Sequence, residues 1–277
     1  MSARLLPRHL LLLVVISLVL SGYFGFLENF FLYHPHYGLE ITPARYGAPY
    51  EDVEFRAADG VRLHGWYTPP VRADGPVLLW SHGNAGNISH RSENIAWLRR
   101  ETGMGVFIYD YRGYGRSEGK PSEAGLYADA RAAYAWLRER VEPGRIVFFG
   151  RSLGAAVAVR IAAEGAQARG LILESPFESL AALGEKIFPF LPVRWMLRQE
   201  YDNVKWLPRA KLPVLILHGD ADEIVPLSQG RRVFELASPP KRFHLIRGAG
   251  HNNTYLVGGP AYWAAWREFL AAPEKAP

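Results

Sequence analysis

Six short apolar runs alternate with helix-like segments along most of the chain, and this alternation limits the fold more than any other feature. The runs are residues 77–80, 106–109, 146–149, 171–173, 214–217 and 243–246. Candidate helices lie near residues 89–100, 122–140, 153–164, 228–236 and 261–270. Strands that are buried on both faces have this uninterrupted apolar character, and strand–helix alternation favours a parallel sheet covered by helices. The sequence therefore predicts an α/β fold.

A strand pair precedes the first of these runs. Val53 and Phe55 alternate with polar residues, Asp59 and Gly60 provide a turn signal, and the alternation resumes at Val61. Period-two alternation on both sides of a turn predicts an antiparallel hairpin with one buried face. Together with the six apolar runs, the hairpin predicts an eight-stranded, mostly parallel sheet with helices on both faces.

One connection is too long for a simple crossover helix. Residues 176–212 separate two predicted strands and contain the aromatic residues Phe188, Phe190 and Trp195. Long connections in compact domains are usually functional or disordered, and the apolar aromatics favour an ordered segment here. The sequence predicts a small cap insertion over the carboxyl edge of the sheet.

The run Gly-Arg-Ser-Leu-Gly at residues 150–154 lies between a predicted strand and a predicted helix. In that context a G-x-S-x-G pattern predicts a nucleophile elbow. Gly150 and Gly154 let the strand and helix pass closely, and Ser152 must take a strained backbone conformation at the turn. The turn exposes the Ser152 hydroxyl at the carboxyl end of the sheet, which makes Ser152 the candidate nucleophile.

A serine hydroxyl needs a base and an acid that orients the base. Three carboxylates follow the run 214–217, and Asp222 is preferred because it lies just before the segment Ile-Val-Pro at residues 224–226. Asp220 is the second choice, and Glu223 would point away if Asp222 points in. His251 lies in a glycine-flanked loop after the last strand. The order Ser, Asp, His is the one that nucleophile-elbow enzymes use. We therefore predict a triad of Ser152, Asp222 and His251.

Two backbone N–H groups must stabilise the oxyanion of the reaction. Leu153, which follows the nucleophile, supplies the first. The loop after residues 77–80 reads His-Gly-Asn-Ala-Gly-Asn, and Asn84 in this loop is the candidate second donor. We interpret His82 as a structural residue that braces the loop.

The N-terminus carries a separate signal. Arg4 and Arg8 precede residues 10–27, which contain no charge. Eighteen helical residues span roughly 27 Å, close to the hydrocarbon core of about 30 Å. The sequence predicts a single-pass signal anchor within residues 1–34 and a catalytic domain over residues 35–277 on the extracytoplasmic side. A cleaved secretory signal, which would release the protein, is the alternative.

Composition narrows the classes of function. The net charge is +5, no block of like charges occurs, and a nucleic-acid partner is not expected. The chain has no cysteine, so disulfides and a thiol nucleophile are excluded. His34 and His36 could bind a metal, but no HExxH motif and no third ligand accompanies them in the sequence, so we predict no metal.

Several segments together resemble the α/β-hydrolase superfamily. They are residues 82–87, 109–117, 150–154, 174–177, 218–226 and 248–252. Within the superfamily they resemble the membrane-anchored serine hydrolases, a branch that includes lysophospholipase-like and protein-depalmitoylating members. The resemblance implies hydrolysis of esters or thioesters, often of long acyl chains, without a cofactor. Asn253 departs from it, because the residue at this place is often acidic in that branch.

The sequence thus predicts a serine hydrolase that cleaves amphiphilic or acyl-lipid esters. A serine amidase or peptidase would use the same triad. A non-catalytic, membrane-tethered binding module on the same scaffold is an alternative of another class, because a fold does not fix a function. Glu174, which also follows a predicted strand, is a rival for the acid of the triad.

Overall fold

The computed structural model describes residues 28–29 and 32–271. The strands of these residues are β1 Glu51–Arg56, β2 Arg62–Thr68, β3 Val77–Ser81, β4 Gly105–Tyr109, β5 Ile146–Arg151, β6 Gly170–Glu174, β7 Val214–Gly219 and β8 Lys241–Ile246. All eight form one sheet in the order β1-β2-β4-β3-β5-β6-β7-β8. The prediction of an eight-stranded, mostly parallel sheet is confirmed.

The N-terminal hairpin forms the antiparallel edge of the sheet. Val53 lies opposite Gly65 and Phe55 opposite Leu63, and strand β2 also pairs antiparallel with β4. All pairings from β4 through β3 to β8 are parallel. The carboxyl ends of these six strands therefore meet at one edge, where the predicted site residues follow β3, β5, β7 and β8.

Helices cover both faces of the sheet, and shorter ones lie at its carboxyl edge. From residue 92 to residue 271 the α-helices are α1 Ser92–Thr102, α2 Glu123–Arg138, α3 Leu153–Ala163, α4 Leu180–Ile187, α5 Val193–Met196, α6 Asn203–Trp206, α7 Leu227–Leu236, α8 Thr254–Val257 and α9 Gly259–Ala271. Helices α2, α3 and α7 bury Leu126, Val157 and Val233 against one face. Helices α1 and α9 bury Leu98 and Trp266 against the other. Two apolar layers thus enclose the sheet, as strands buried on both faces require.

The predicted start of α2 is confirmed, because the Ser122 hydroxyl accepts a hydrogen bond from the backbone N–H of Gly125 at 3.1 Å. The predicted helix near residues 89–100 begins later than expected. A 3-10 turn, Ile88–Arg91, precedes it, since the Asn87 side chain caps that turn by accepting from Ser89 N–H at 2.9 Å. Side-chain caps of this kind compete with a regular α-helical start.

The connection at residues 176–212 folds as three short helices, α4 to α6, followed by a 3-10 turn, Leu207–Arg209. Its two ends are joined at the base, where the backbone N–H of Asn203 donates to the carbonyl of Glu178 at 2.9 Å. The N–H of Leu180 also donates to the carbonyl of Glu200 at 2.9 Å. These bonds hold the segment, hereafter the cap, over the carboxyl edge of the sheet.

Within residues 28–29 and 32–271, no helix has the length and apolar character needed to cross a membrane. The predicted anchor, residues 10–27, lies outside the described residues. The described residues just after it contact the body of the protein. Tyr33 is buried, and its hydroxyl lies 2.5 Å from the hydroxyl of Tyr201 at the end of the cap.

Candidate active site

Ser152 lies at the junction of strand β5 and helix α3, with φ 52° and ψ −118°. A positive φ is costly for a residue with a side chain and persists only where the surroundings enforce it. The flanking residues Gly150 and Gly154 have no Cβ atom, which lets the backbone around the turn pack closely. A Cβ atom on Gly154 would lie 2.0 Å from the carbonyl oxygen of Ser81, and one on Gly150 would lie 2.3 Å from the oxygen of Gly154. The strand–turn–helix geometry predicted for residues 150–154 is therefore present.

A cavity of about 330 Å³ lies above Ser152 and collects the predicted site residues. Its lining comprises Leu32, His34, Gly83, Asn84, Ala85, Arg91, Arg151, Ser152, Leu153, Phe177, Leu180, Leu183, Ile224, His251 and Asn252. A cavity of about 470 Å³ beside Trp97 contains none of the predicted site residues. Four of the five, Ser152, His251, Asn84 and Leu153, thus share one concave surface.

The fifth, Asp222, lies behind the imidazole of His251. The Nδ1 atom of His251 lies 2.8 Å from Oδ2 and 3.0 Å from Oδ1 of Asp222, and both residues are buried. An ionised carboxylate can only accept, so Nδ1 carries the proton and Nε2 is left as the acceptor. The arrangement holds His251 in the tautomer that a general base requires.

The charge of Asp222 is stabilised in place. Burial would raise the pKa of this carboxyl, but the hydrogen bond and charge of His251 and the N–H of Val225 outweigh burial and lower the pKa to about 2. The N–H groups of Val225 and Ile224 donate to Oδ1 at 2.8 and 3.0 Å. Asp222 therefore stays ionised at neutral pH.

The rival carboxylates have other partners. Asp220 accepts from the backbone N–H of Gly248 at 2.6 Å, and Glu223 accepts from the backbone N–H of His251 at 3.1 Å. Glu174 forms a buried ion pair with Arg151 at 3.2 Å. Of these four carboxylates, Asp222 is the one that hydrogen-bonds the imidazole of His251.

The loop after strand β3 lies directly against Ser152. A Cβ atom on Gly83 would be 3.7 Å from the Cβ of Ser152. The side chain of Asn84 is held from two sides, because its amide group donates to the carbonyl of Leu32 and its oxygen accepts from the Tyr114 hydroxyl at 3.0 Å. Asn84 and Leu153 thus line the same cavity as Ser152.

His82 has a structural role, as predicted. Its ring is fully buried, Nδ1 donates to the carbonyl of Gly83 at 2.7 Å, and the ring packs against Tyr111 with centroids 4.3 Å apart. Burial, opposed in part by Asp110, lowers the pKa of His82 to about 4. The ring is therefore neutral at physiological pH and braces the loop.

Three groups of cavity residues were not predicted from the sequence. Leu32 and His34 fall within the segment assigned to the anchor, yet they line the cavity. Arg151 is the variable residue of the elbow pattern, and Arg91 ends the 3-10 turn before α1. The basic residues carry no motif of their own, so only the assembled structure places them beside Ser152.

One exposed cluster has the residue types of a metal site. His36, Glu40 and His90 bring ligand atoms within 4.8 Å of one another. However, Nδ1 of His90 accepts from the backbone N–H of Asn87 at 3.1 Å, which places the proton of the neutral ring on Nε2. With Nε2 protonated, His90 offers no lone pair toward Glu40, whose Oε1 lies 3.7 Å from that nitrogen, so this arrangement of the three side chains does not suit a metal ion.

Comparisons with known proteins agree with the fold. The family model described as serine aminopeptidase, S33, matches residues 74–200, a range that includes Ser152 and ends before Asp222. The chain is 40% identical over 269 residues to an uncharacterized protein of Mycobacterium tuberculosis, covering 95% of each chain. It is 37% identical over 259 residues to the α/β-hydrolase domain-containing protein WAV2 of Arabidopsis thaliana, covering 85% of this chain and 83% of the relative. It is also 37% identical over 247 residues to protein bem46 of Schizosaccharomyces pombe, covering 83% and 79%.

Solved structures share the fold. An esterase of Pyrococcus furiosus superposes with a TM-score of 0.70 at 23% identity, covering 86% of this chain and 97% of the esterase. A puromycin-hydrolyzing peptidase of Mycobacterium tuberculosis superposes with a TM-score of 0.65 at 18% identity, covering 83% of this chain and 41% of the peptidase. The order of the strands, the turn at Ser152 and the identity to these relatives lead to the same assignment: the chain belongs to the α/β-hydrolase family.

Proposed function

We propose that this protein is a serine hydrolase that cleaves carboxylic esters or thioesters of amphiphilic or acyl-lipid substrates. The observation that carries the proposal is the strained Ser152 in a cavity that also holds His251, whose Nδ1 lies 2.8 Å from Asp222. A nucleophile, an oriented base and a buried acid are the parts that acyl transfer requires.

In the proposed reaction, His251 takes the proton of the Ser152 hydroxyl as its oxygen attacks the substrate carbonyl. The N–H groups of Asn84 and Leu153 stabilise the resulting oxyanion. The protonated His251 then gives its proton to the leaving alcohol or thiol, and an acyl-enzyme forms on Ser152. Water, activated by His251, attacks the acyl-enzyme and releases the acid. Asp222 remains ionised throughout and stabilises the imidazolium.

The apolar part of the cavity supports an acyl chain as the group that is bound. The apolar lining comes from three segments. The cap contributes Phe177, Leu180 and Leu183, the loop that carries Asp222 contributes Ile224, and the N-terminal part contributes Leu32. Burial of such a chain is favourable in proportion to the apolar area that leaves water.

A serine amidase or peptidase is the second candidate, and the description of the matching family model favours it. The cavity lining argues against an aminopeptidase. An enzyme of that kind must bind the ammonium group of the substrate, yet no Asp or Glu is among the lining residues, and Arg91 and Arg151 are. The positive side chain of Arg91, which has no acidic neighbour in the lining, repels an ammonium group. An ester therefore fits the cavity better than a peptide with a free amino terminus.

The test is hydrolysis of p-nitrophenyl esters, from acetyl to palmitoyl, by the full chain in detergent, with alanine p-nitroanilide as the amide substrate. Ser152→Ala is the control. Ester turnover that rises with chain length and is lost in the variant supports the proposal. Turnover of the anilide alone would move the assignment to an amidase. Absence of Ser152-dependent turnover, together with failure of a fluorophosphonate to label Ser152, would support a non-catalytic binding module.

We also propose that the protein acts at a membrane, in which residues 10–27 anchor it. Two features support this. Glu28, the residue after the uncharged run, accepts hydrogen bonds from the backbone N–H groups of Arg198 and Gln199 at 3.0 and 2.9 Å, so Glu28 itself lies against the cap. The cap itself exposes large apolar side chains, with Phe190 97% and Trp195 90% exposed. An exposed aromatic cluster of this kind is typical of an interaction with lipid or protein.

The absence of cysteine makes a topology test simple. The variant Val71→Cys introduces a single cysteine at an exposed position between β2 and β3. Intact spheroplasts that contain this variant are treated with a membrane-impermeant maleimide. Labelling without lysis, with the protein retained in the membrane pellet after a carbonate wash, supports the extracytoplasmic anchored form. Recovery in the medium would indicate a cleaved secretory signal, and labelling only after lysis would place the domain in the cytoplasm.

A further inference from the structure

Arg91 is a positively charged side chain in the catalytic cavity that lacks a carboxylate partner. Within residues 28–29 and 32–271, no Asp or Glu oxygen lies within 4.0 Å of its guanidinium. Its Nη2 atom donates to the carbonyl of Ala85 at 2.9 Å, whereas Nε is buried without a hydrogen-bond partner. The side chain is half-buried, and part of it faces the cavity above Ser152.

Arg151, the other basic residue of the cavity, differs in this respect. It pairs with Glu174 at 3.2 Å and donates to the carbonyl of His251. Its charge is therefore compensated within the protein. The charge of Arg91 is uncompensated, because the cavity lining carries no acidic side chain that could balance it.

An uncompensated guanidinium in a partly buried cavity is costly, because it loses hydration without gaining a counter-charge. Burial and the charge of Arg151 lower the pKa of Arg91 to about 10, so the side chain still carries its charge at neutral pH. A guanidinium has a fixed fork of donors that matches carboxylate and phosphate oxygens. A ligand with such a group, bound at the outer end of the guanidinium that faces the cavity, would balance the charge of Arg91.

We propose that Arg91 forms an anion-binding subsite that receives a carboxylate or phosphate group of the substrate. This inference rests on the proposed function and narrows its substrate class to amphiphilic esters that carry a negative charge near the scissile bond. The anionic group has two sources, the acyl side or the alcohol side of the ester. The apolar lining would hold the rest of the chain.

Two matched pairs of substrates distinguish the sources. For the acyl side, the p-nitrophenyl half-ester of glutaric acid is compared with p-nitrophenyl valerate, which has the same number of acyl carbons and no charge. For the alcohol side, 1-oleoylglycerol 3-phosphate is compared with 1-oleoylglycerol. The variants are Arg91→Gln and Arg91→Lys, and Arg100→Gln serves as the control. Arg100 lies in the last turn of α1, the helix that follows Arg91, and outside this cavity, and its loss removes the same unit of charge.

We expect Arg91→Gln to lower kcat/KM for one of the two anionic substrates by about 10- to 100-fold, mainly through KM. The neutral partner of that pair should change by less than about threefold, Arg91→Lys should recover part of the loss, and Arg100→Gln should resemble the wild type. Equal losses on charged and neutral substrates would overturn the proposal in favour of a residue that only braces the Ala85 carbonyl. No loss on either anionic substrate would overturn it as well.

A binding measurement separates this inference from the proposed function. In the Ser152→Ala background, which cannot form an acyl-enzyme, affinity for 1-oleoylglycerol 3-phosphate and for glutarate half-esters is measured by calorimetry with and without Arg91→Gln. A drop of about tenfold or more for one anionic ligand supports the subsite even if no ester turnover is found. Equal affinities in both backgrounds, or no binding of either anionic ligand, would refute it.

Discussion

The guanidinium of Arg151 donates a hydrogen bond to the backbone carbonyl of His251, so the residue before the candidate nucleophile holds the loop of the candidate base. Glu174 completes the link. Its carboxylate pairs with Arg151 and accepts from the hydroxyls of Thr254 and Tyr262 at 2.9 and 2.6 Å. The ends of β5 and β6 and the loop after β8 are thereby joined behind the cavity.

The ion pair between Arg151 and Glu174 should be important for stability. Replacing Glu174 with Gln leaves a buried guanidinium without its counter-charge, and we expect the free energy of unfolding to fall by about 3–5 kcal/mol. Urea unfolding followed by circular dichroism measures the change. Glu235→Gln, which removes the exposed pair with Arg232, is the control and should cost less than about 1 kcal/mol. Similar losses for the two variants would mean that Glu174 has no special structural role.

The proposed triad predicts a graded loss of activity. Ser152→Ala should reduce kcat by about 10⁶-fold and Asp222→Asn by about 10⁴-fold, because the amide would favour the wrong tautomer of His251. Asp220→Asn should retain most of the activity, since Asp220 contacts a backbone N–H rather than the imidazole. Steady-state kinetics on a p-nitrophenyl ester check the series. A severe loss in Asp220→Asn with a mild one in Asp222→Asn would exchange the two assignments.

The buried His82 predicts how stability depends on pH. In the unfolded chain an ordinary histidine has a pKa of 6.5, whereas burial lowers the pKa of His82 to about 4 in the folded protein. The unfolded state thus binds more protons between these values, so the contribution of His82 is intact above pH 6.5 and is lost as pH falls to 4. The full loss is about 3 kcal/mol. His82→Gln should flatten the dependence of unfolding free energy on pH over this window; an unchanged slope would contradict the assignment.

The residues before position 35 should matter for activity. Leu32 and His34 line the cavity, and the Leu32 carbonyl accepts from the side chain of Asn84, a candidate oxyanion donor. A protein that begins at residue 35 should therefore show kcat/KM on a soluble ester lowered by about tenfold relative to one that begins at residue 28, since small displacements of catalytic groups are costly. Thermal unfolding of both proteins controls for loss of folding. Equal activity would show that the loop holds its position without Leu32.

The exposed aromatics of the cap should affect only substrates in lipid. The double change Phe190→Glu and Trp195→Glu places charges where the cap would enter a membrane surface. Turnover of an ester embedded in vesicles of phosphatidylcholine and phosphatidylglycerol should fall by about tenfold or more, while turnover of p-nitrophenyl acetate should be unchanged. Val71→Glu, an equally polar change at an exposed site between β2 and β3, should alter neither. A loss on the soluble ester would instead indicate that the cap had lost its structure.

Features that depend on neighbouring residues could be predicted from the sequence. The strands follow from short apolar runs, and the elbow follows from Gly150, Ser152 and Gly154 between a strand and a helix. The partners Asp222 and His251 follow from their positions after late strands, because parallel strands bring their carboxyl ends to one edge.

Contacts between distant residues could not be predicted in this way. The sequence marks Arg91 and Arg151 only as basic residues, and it does not reveal that Glu174 compensates one of them and not the other. Leu32 was assigned by its apolar character to the anchor segment, and the same character suits the cavity wall that it forms. Hydropathy reports that a side chain avoids water; it does not report which surface it will cover.

The contact of Leu32 with the loop of Asn84 also bears on synthesis of the protein. During synthesis the N-terminal residues leave the ribosome first, so Leu32 and Asn84 emerge before Ser152, and Ser152 emerges before His251. A nascent chain would therefore hold the proposed nucleophile and part of the cavity wall before it has the proposed base. Hydrolysis by the proposed triad could begin only after His251 has emerged and the loop that carries it has folded.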